Sequence, residues 1–508
     1  MDDRGNWLGL DLGTQSVRAL VVSGDGAVLG AGSAPLTSRR SGPRHEQDPE
    51  QWWTALSAAC RQSMAELPAK STREIEALAV CGTSGTILLV DGAGDPRCAA
   101  LMYDDSRALE EAGRANEAGA GAWEALGYQM QPTWALPKLL WLLHEHGDCA
   151  QDARLAHQVD FVTRRLIGRE VPADSSHALK TGYDLLHEAW PHDVMAALRV
   201  PEGMLPRVVR SGTELGRVGR AGAQATGIPQ GTAVIAGMTD GCAAQLAAGA
   251  LSAGSWNSVL GTTLVLKGVS RERIQDPHGV VYSHRSPDGD WLPGGASSTG
   301  AGVLSHRFPG RNLAALDRLA AQREPAGALA YPLVSRGERF PFLAPQAEGF
   351  MIGSPADEAS EYAALLQGVA YVERLCFDHL DRIGAPTGGK LSLTGGAARS
   401  RYWCQLRADV LGREVRRVEH AEPALGMAVL AAASGRRLSG TAAQPNPPEA
   451  HALSETAAAM VRVRDVIEPR REGSDRFREP YVRLVDELAH RGWLPRELAQ
   501  HARDRAAR

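Results

Sequence analysis

Two short Gly-Thr turns, one in each half of the chain, offer chemistry that suits phosphate binding. Asp11-Leu12-Gly13-Thr14 follows one apolar run, and Gly261-Thr262-Thr263 follows another. Backbone N–H groups and hydroxyls in such turns can bind phosphate oxygens. An ordinary hairpin turn, in which the aspartate accepts local amide hydrogen bonds, could have the same sequence. Because the turn occurs twice, we favour the interpretation that both turns hold one polyphosphate.

Two aspartates are candidates for the reacting centre. Asp240 follows the apolar run 232–236 and precedes an alanine-rich segment that starts at Cys242. In an open α/β sheet this position lies where ligands bind, and a carboxylate there can accept a hydroxyl proton. Asp240 could instead be the N-cap of the next helix. Asp11 could hold a metal through water or orient a nucleophile.

Two further segments combine small residues that let a ligand approach the backbone. Gly395-Gly396 follows a predicted strand, and a helix is predicted to start at about Ser400, so a base or phosphate could bind there. The alternative is a tight strand-to-helix turn. Ser84, between two apolar runs, could exchange hydrogen bonds with sugar hydroxyls, or could be a solvated turn serine. The run 384–390, GAPTGGK, is not a P-loop, because Leu391 replaces Ser or Thr and a strand follows.

Strands and helices alternate along the chain and must position these residues. Apolar runs and helical spacing predict the main elements. The predicted strands are 7–12, 17–22, 28–29, 75–80, 87–90, 101–102, 232–236, 256–260 and 264–267, and the predicted helices are 49–67, 312–322, 358–383, 401–411 and 423–435. The segment 123–166 is predicted to be helical. A strand–Gly-Thr–strand unit opens each half, which indicates two related domains.

Bulk composition excludes several classes of protein. The chain has 508 residues, a net charge of −4 and seven scattered cysteines. Its length predicts two domains or more, and its charge gives no reason to expect nucleic acid or an anionic membrane as partner. No apolar run approaches the roughly 20 residues of a membrane span, and the polar start MDDRGNW is not typical of a signal peptide. We therefore expect a cytoplasmic protein with reduced thiols.

Together these segments resemble the FGGY carbohydrate kinases from about Leu8 to about Ser434. LGLDLGTQSVRA is similar to their first phosphate motif, GMTDGCAAQLAAGA to the segment of the catalytic aspartate, VLGTT to the second phosphate motif and LTGGAARSRYW to the adenosine motif. ALLQGVAYVERL falls within the second family signature, and Lys138-Leu139-Leu140-Trp141 fits part of the first. The chain departs from the family at Ala135 and at Ala397, which replaces the third glycine of the adenosine motif.

The resemblance implies an α/β fold of two actin-like (ribonuclease H-like) domains with the active site in an interdomain cleft. The expected domains are an N-terminal sugar-binding domain at 1–250, a C-terminal nucleotide-binding domain at 251–440, and a loop with a charged C-terminal extension at 441–508. The implied cofactors are ATP and Mg²⁺, with Asp11 near the metal. The implied site residues are Asp11, Ser84 and Asp240 for the sugar, Gly13, Thr14, Gly261 and Thr262 for phosphates, and Gly395, Gly396, Ser400 and Trp403 for the nucleotide.

Within the family, four segments are most similar to D-ribulokinases of the cyanobacterial and plant-chloroplast type. They are 81–91, 177–184, 280–297 and 331–341. The expected reaction is therefore ATP-dependent phosphorylation of a terminal hydroxyl of a ketopentose, D-ribulose. Tyr103-Asp104-Asp105-Ser106-Arg107 is similar to the W-x-D-x-R of xylulokinases, which keeps D-xylulose, or another polyol or ketose, as the alternative.

Two interpretations from other classes stay open. They are an actin-like ATPase and a catalytically silent sugar-binding module, and the combination of Asp11, Asp240 and Thr262 argues against the second. The expected assembly is a monomer or homodimer that binds a small ketose and ATP.

Overall fold

A computed structural model describes residues 5–145, 147–150, 152–438, 452–470 and 473–507. They divide into two compact units. The first unit contains the chain up to Gly249 together with His284–Asp290 and His420–Arg462, and the second contains Ala250–Ser283, Trp291–Glu419 and the residues from Val463 onward. Each unit is built on a mixed β-sheet with helices, as an α/β fold requires.

The sheet of the first unit has six strands. In spatial order they are Glu214–Arg217, Ala233–Ile235, Ile75–Gly82, Asn6–Leu12, Ser16–Ser23 and Val28–Pro35. The last three form the antiparallel meander that the sequence predicts, and all seven residues of Asn6–Leu12 are buried. Gly9 is needed within that strand, because a Cβ there would lie 1.7 Å from the carbonyl oxygen of Ala424.

Smaller sheets and helices complete the first unit. Five short strands form a second sheet in the order Arg39–Ser41, Arg44–Gln47, Ala100–Leu101, Ile87–Val90 and Arg154–His157, and Ala173–Asp174 pairs with Val208–Val209. The α-helices are Pro49–Met64, Ala69–Arg73, Leu109–Ala118, Ala120–Leu126, Ala135–Glu145, Gly147–Ala150, Gln158–Ile167, Ser175–Ala178, His192–Ala197, Arg220–Thr226, Asp240–Ala247, Pro423–Leu438 and Ala452–Met460. The 3₁₀ helices are Leu179–Thr181 and Glu202–Met204.

The prediction that 123–166 is helical throughout is wrong at one element. Arg154–His157 is a strand that pairs with Ile87–Val90. Its partner lies more than sixty positions earlier in the chain, so helical spacing within the segment carries no information about this pairing.

The sheet of the second unit includes six strands whose parallel and antiparallel pairings, counted from the antiparallel meander, follow the same order as in the first unit. In spatial order they are Trp291–Ser297, Leu264–Gly268, Trp256–Leu260, Leu391–Thr394, Val415–Val418 and Val463–Ile467. Leu329–Tyr331 pairs with Phe350–Ile352, and Tyr282–Arg285 is a further strand. The helices of the unit are Gly302–Arg307, Leu313–Ala320, Glu358–Arg382, Arg401–Leu411, Gly473–His490 and Arg496–Ala507, with a 3₁₀ turn at Gly396–Arg399.

The C-terminal part of the chain differs from the predicted division. Gly473–His490 and Arg496–Ala507 are not a separate charged extension, because Phe477, Tyr481 and Leu498 are buried in the core of the second unit. The predicted loop at 436–448 lies outside the described residues from 439 onward. Among the described residues, no helix is long and apolar enough to cross a membrane.

The helix Pro423–Leu438 also departs from the predicted boundaries. The sequence assigns it to the nucleotide-binding domain, but it packs within the first unit. A Cβ at Gly426 would lie 1.9 Å from the carbonyl oxygen of Ala243, so this helix and Asp240–Ala247 are in backbone contact. This close packing supports the start of the helix that carries Asp240.

Candidate functional site

Three predicted sugar-side residues lie at one edge of the first unit's sheet. Asn6–Leu12, Ile75–Gly82 and Ala233–Ile235 are neighbouring parallel strands, so their carboxyl ends meet there. Asp11 is near the end of the first strand, Ser84 follows the second and Asp240 follows the third. A bridge between Gly82 and Thr239 holds the last two segments side by side. Ligands of open α/β sheets bind at such an edge.

Asp11 is a buried carboxylic acid with 7% of its surface exposed. The Cys81 thiol on the adjacent strand lies 3.6 Å from Asp11 Oδ1 and donates to it. Burial and, to a lesser extent, the charge of Asp240 raise the pKa of Asp11 to about 7, and Arg18 opposes both. Asp11 is therefore only about half ionised at neutral pH, and a nearby cation would favour its ionised form.

Asp240 is the first residue of the helix Asp240–Ala247, and its carboxylate is half-buried. The N-cap position belongs to Thr239, so the alternative role of Asp240 as N-cap is wrong. Asp240 Oδ1 accepts a hydrogen bond of 2.7 Å from the N–H of Gly241. The positive end of a helix stabilises a carboxylate in its first turn. Asp240 therefore presents a fixed carboxylate at the edge of the sheet.

Ser84 has a hydroxyl with no hydrogen-bond partner among the described residues, although its Oγ is buried. The loop around it is held rigidly. The N–H and hydroxyl of Thr83 both donate to Gln158 Oε1 at 2.9 Å, and Lys180 Nζ donates to the carbonyl oxygen of Ser84 at 3.2 Å. Buried polar groups without partners are rare, so this hydroxyl fits a site completed by a polar ligand.

The first Gly-Thr turn leads to Tyr103, a residue of the Y-x-D-x-R segment that is not among the predicted site residues. The Gly13 N–H donates to the carbonyl oxygen of Ser16, and Thr14 is partly exposed. Tyr103 hydrogen-bonds to the Thr14 side chain. Burial raises the pKa of Tyr103, and the charges of Asp104 and Asp240 raise it further. Tyr103 therefore borders the same edge, and its position in the Y-x-D-x-R segment is the signal that could have found it.

The remaining residues of that segment hold Tyr103 in place. Asp105 is fully buried and accepts hydrogen bonds from the His45 N–H and from the guanidinium of Arg107. Lys138 is also fully buried and donates to the carbonyl oxygen of Met102 at 2.7 Å. Burial lowers the pKa of Lys138 to about 7. Lys138, Asp105 and Arg107 therefore fix the backbone on both sides of Tyr103.

The second Gly-Thr turn presents an exposed hydroxyl on a fixed backbone. The Gly261 N–H donates to the carbonyl oxygen of Thr263, and the Gly302 N–H donates to that of Thr262 at 3.1 Å. A Cβ at Gly300 would lie 2.4 Å from the Thr262 carbonyl oxygen, so only glycine fits there. Thr262 itself is exposed. This geometry suits a phosphate group.

Gly395 and Gly396 lie beside this turn within the second unit. Gly395 has φ +84°, and a Cβ there would lie 2.6 Å from the carbonyl oxygen of Leu260, the residue before Gly261. Gly396 faces open space, with no heavy atom within 4 Å of an added Cβ. The close approach of Gly395 joins the two predicted nucleotide segments, and the open face of Gly396 can receive a ligand.

Ser400 and Trp403 have structural roles. The Ser400 hydroxyl donates to Asp317 Oδ2 at 2.7 Å and accepts the Trp403 N–H at 2.9 Å, as the N-cap of Arg401–Leu411. Trp403 is 2% exposed, and its indole N–H donates to the carbonyl oxygen of Leu366. The Trp403 ring therefore packs in the core of the second unit, and its place at the nucleotide site stays a prediction.

The acidic edge of the first unit fits a magnesium ion. Among the described residues, no three His, Cys, Asp or Glu side chains form a metal-binding group. Mg²⁺ at phosphate sites needs only one or two carboxylates, because substrate phosphates and water supply its other ligands. Asp11 fits this role, since its pKa near 7 beside Asp240 would fall in the presence of a cation.

Comparisons with known families and proteins cover most of the chain. The N-terminal domain of the FGGY family of carbohydrate kinases matches residues 6–247, and its C-terminal domain matches 256–435. The xylulose kinase of Streptomyces coelicolor is 34% identical over 438 residues, which cover 84% of this chain and 87% of that protein. The xylulose kinase of Escherichia coli K12 is 28% identical over 505 residues, which cover 95% of this chain and 100% of that protein.

Solved structures share the fold. A xylulose kinase from Rhodospirillum rubrum has a TM-score of 0.82 at 24% identity and covers 96% of this chain and 98% of its own. The glycerol kinase of Plasmodium falciparum, solved with ADP, has a TM-score of 0.81 at 16% identity. The match covers 95% of this chain and 98% of the glycerol kinase. At these identities the likeness concerns the fold alone.

Proposed function

The chain belongs to the FGGY family of carbohydrate kinases, and we propose that it transfers the γ-phosphoryl group of ATP to a terminal hydroxyl of D-xylulose. The observation that carries this proposal is the grouping of Asp11, Ser84 and Asp240 at one edge of the first unit's sheet. An acid–base pair of carboxylates beside an unpartnered hydroxyl suits a polyhydroxylated acceptor.

D-Xylulose replaces D-ribulose as the preferred substrate. The relatives from Streptomyces coelicolor and Escherichia coli are named xylulose kinases and align over most of this chain. Nothing in these comparisons supports the cyanobacterial and chloroplast ribulokinase type to which four segments show similarity. Tyr103 takes the place of Trp in a segment similar to the W-x-D-x-R of xylulokinases, and it borders Asp240. Both observations agree with D-xylulose as the substrate.

Asp240 would act as the general base. Its carboxylate accepts the proton from the terminal hydroxyl while that oxygen forms its bond to the γ-phosphorus. The bond between this phosphorus and the bridging oxygen of ADP breaks, and ADP leaves with the electron pair. The Ser84 hydroxyl would orient the sugar by donating to one hydroxyl or accepting from another.

The two Gly-Thr turns and the glycine pair would hold the nucleotide. Phosphoryl transfer depends mainly on in-line positioning and charge stabilisation, which backbone N–H groups and the hydroxyls of Thr14 and Thr262 can supply. Gly396 leaves space for the nucleoside. Mg²⁺, when bound near Asp11, neutralises charge on the phosphate oxygens. Asp11 would be more fully ionised in its presence.

The test is an ADP-release assay with D-xylulose, D-ribulose, L-xylulose, L-ribulose, ribitol and glycerol. We expect ADP release to depend on sugar, with the highest kcat/KM for D-xylulose. A higher kcat/KM for D-ribulose than for D-xylulose would support D-ribulose as the substrate and overturn the proposal of D-xylulose. Equal ATP turnover without sugar would favour an actin-like ATPase, and sugar binding without turnover would favour a silent binding module.

A further inference from the structure

A cavity of about 350 Å³ in the second unit carries an excess of positive charge. It lies among the helices Glu358–Arg382, Arg401–Leu411, Gly473–His490 and Arg496–Ala507. Four arginines line it, with one acidic residue, Asp378; the arginines are Arg374, Arg413, Arg478 and Arg505. Phe377, Val410 and Leu411 supply an apolar part of the wall. The volume is within the usual range for small-molecule sites.

Two of these arginines have no carboxylate at ion-pair distance within the described part of the chain. Arg413 donates to the carbonyl oxygens of Thr387 and Gly389. Arg374 donates to the carbonyl oxygen of Val410 at 3.3 Å and lies 4.4 Å above the ring of Tyr481. Carbonyl oxygens at the end of Arg401–Leu411 compensate part of this charge, but each guanidinium keeps a full positive charge in a partly buried place.

The nearby acids are already paired with arginines other than Arg374 and Arg413. Glu373 is bound bidentately by the fully buried Arg407. Glu414 is 2.8 Å from Arg416. Asp378, whose pKa burial raises, is bound by Arg505 and Tyr481. Arg505 is paired with Asp378 and Asp381, and Arg478 is paired with Asp475. The positive charge that no carboxylate at ion-pair distance compensates, within the described part of the chain, is therefore that of Arg374 and Arg413.

We propose that this cavity binds a small organic anion that carries a phosphomonoester group. Guanidinium groups form paired hydrogen bonds with phosphate and carboxylate, and several arginines around one cavity suit a dianion better than a single carboxylate. The ring of Phe377 and the side chains of Val410 and Leu411 can contact the carbon part of the ligand. The inference does not depend on the proposed sugar-kinase reaction.

The cavity is distinct from the nucleotide segments of the same unit. It lies at the C-terminal end of Arg401–Leu411, whereas the Gly395-Gly396 turn precedes the N-cap of that helix, Ser400. A helix of this length spans about 16 Å. A phosphate bound in the cavity is therefore separated from Thr262 and Gly396, and variants can tell the two sites apart.

Isothermal titration with phenyl phosphate, at constant ionic strength, tests the proposal on the full chain. Phenyl phosphate is expected to bind the wild type, and Arg413→Gln is expected to weaken binding by about tenfold or more, because charge-assisted hydrogen bonds are lost. Arg413 also holds the loop at 387–389, so Arg478→Gln is the second variant. Arg478 is exposed and pairs with the exposed Asp475, and its replacement should leave folding unchanged while weakening binding.

The controls are Arg336→Gln, which removes an exposed arginine outside the cavity, and Thr262→Val, which alters the proposed phosphate turn. Neither should change phenyl phosphate binding at the cavity. The proposal is overturned if Arg413→Gln and Arg478→Gln bind phenyl phosphate as the wild type does, or if Arg336→Gln weakens binding equally. It is also overturned if citrate binds and phenyl phosphate does not, because the site would then select carboxylates.

Discussion

The two units share one sheet topology but carry different side chains at matching strand ends. In each, three antiparallel strands are followed by two parallel strands and an antiparallel edge strand. The Gly-Thr turn follows the first strand of the meander in both units. Two residues before the glycine stands Asp11 in the first unit and Val259 in the second.

This difference separates the two halves of the proposed reaction. A proton acceptor and a metal site need carboxylates, which Asp11 and Asp240 supply in the first unit. For the nucleotide, the second unit offers Thr262, Gly395 and Gly396 at its turns, and Val259 stands there in place of a carboxylate. The shared scaffold provides the backbone geometry, and the side chains at the strand ends decide which substrate each unit would bind.

Among the carboxylates of the first unit, Asp240 should have the largest effect on turnover. We predict that Asp240→Asn folds and binds nucleotide like the wild type, while kcat falls by about 10²–10⁴-fold because the general base is lost. Steady-state kinetics at neutral pH measure this, with Asp25→Asn, an exposed aspartate of the same unit, as the control. A kcat for Asp240→Asn equal to that of the wild type would show that the base is another group.

The hydroxyl of the second turn should affect the nucleotide and spare the sugar. Thr262→Val is predicted to cost about 1.5–3 kcal/mol in kcat/KM for ATP, the value of a hydrogen bond to a charged group. Sugar binding, measured by titration without nucleotide, should not change. Thr37→Val replaces an exposed threonine of the first unit and serves as control. Unchanged ATP kinetics in Thr262→Val would remove this turn from the phosphate site.

The two neighbouring glycines should separate folding from nucleotide binding. Gly395→Ala should lower the free energy of unfolding by about 1–3 kcal/mol, because its φ is positive and its Cβ would meet Leu260. Gly396→Ala has open space and should leave stability unchanged while weakening ATP binding. Thermal unfolding and nucleotide titration of both variants check this pair. If Gly396→Ala binds ATP normally, the open face is not the nucleotide site.

The unpartnered hydroxyl of Ser84 provides the corresponding test on the sugar side. Ser84→Ala should cost about 1–3 kcal/mol in kcat/KM for the ketose, with the largest loss for the true substrate. Ser57→Ala is a matched control, because Ser57 Oγ is also buried without a partner but lies on the helix Pro49–Met64. Equal small losses for every sugar would mean that Ser84 has no role in substrate binding.

The smallest expected effect is the pH dependence that Asp11 gives to folding. Its pKa is about 7 in the folded protein and near 3.8 when unfolded, so its ionisation destabilises the fold as pH rises from about 4 to about 7. Between pH 6 and 7.5 the wild type should lose about 1 kcal/mol relative to Asp11→Asn. Denaturant unfolding with EDTA measures this. A difference that does not vary with pH would contradict the raised pKa.

Asp240 makes that test sharper. Its charge is the second cause of the raised pKa of Asp11, after burial. The pH dependence should therefore shrink in Asp240→Asn and persist in Asp25→Asn. Persistence of the full effect in Asp240→Asn would assign the raised pKa to burial alone.

The sequence by itself determined the features that depend on neighbouring residues. Apolar alternation located the strands that carry Asp11 and precede Asp240, and glycine marked the turns at Gly261 and Gly395. These signals are local, because strand periodicity and a positive φ constrain residues within a few positions. The repeated Gly-Thr unit was visible for the same reason, and it correctly indicated two related folds.

The tertiary structure alone decided which of those residues face a ligand. Ser84 is left without a partner because Gln158, 75 positions after Thr83, holds the loop. Trp403 enters the core, and the C-terminal helices bury Phe477 and Tyr481 in the second unit. The arginines of the cavity come from segments spread between positions 374 and 505. Burial and charge compensation depend on contacts between distant segments, and no local pattern in the sequence records them.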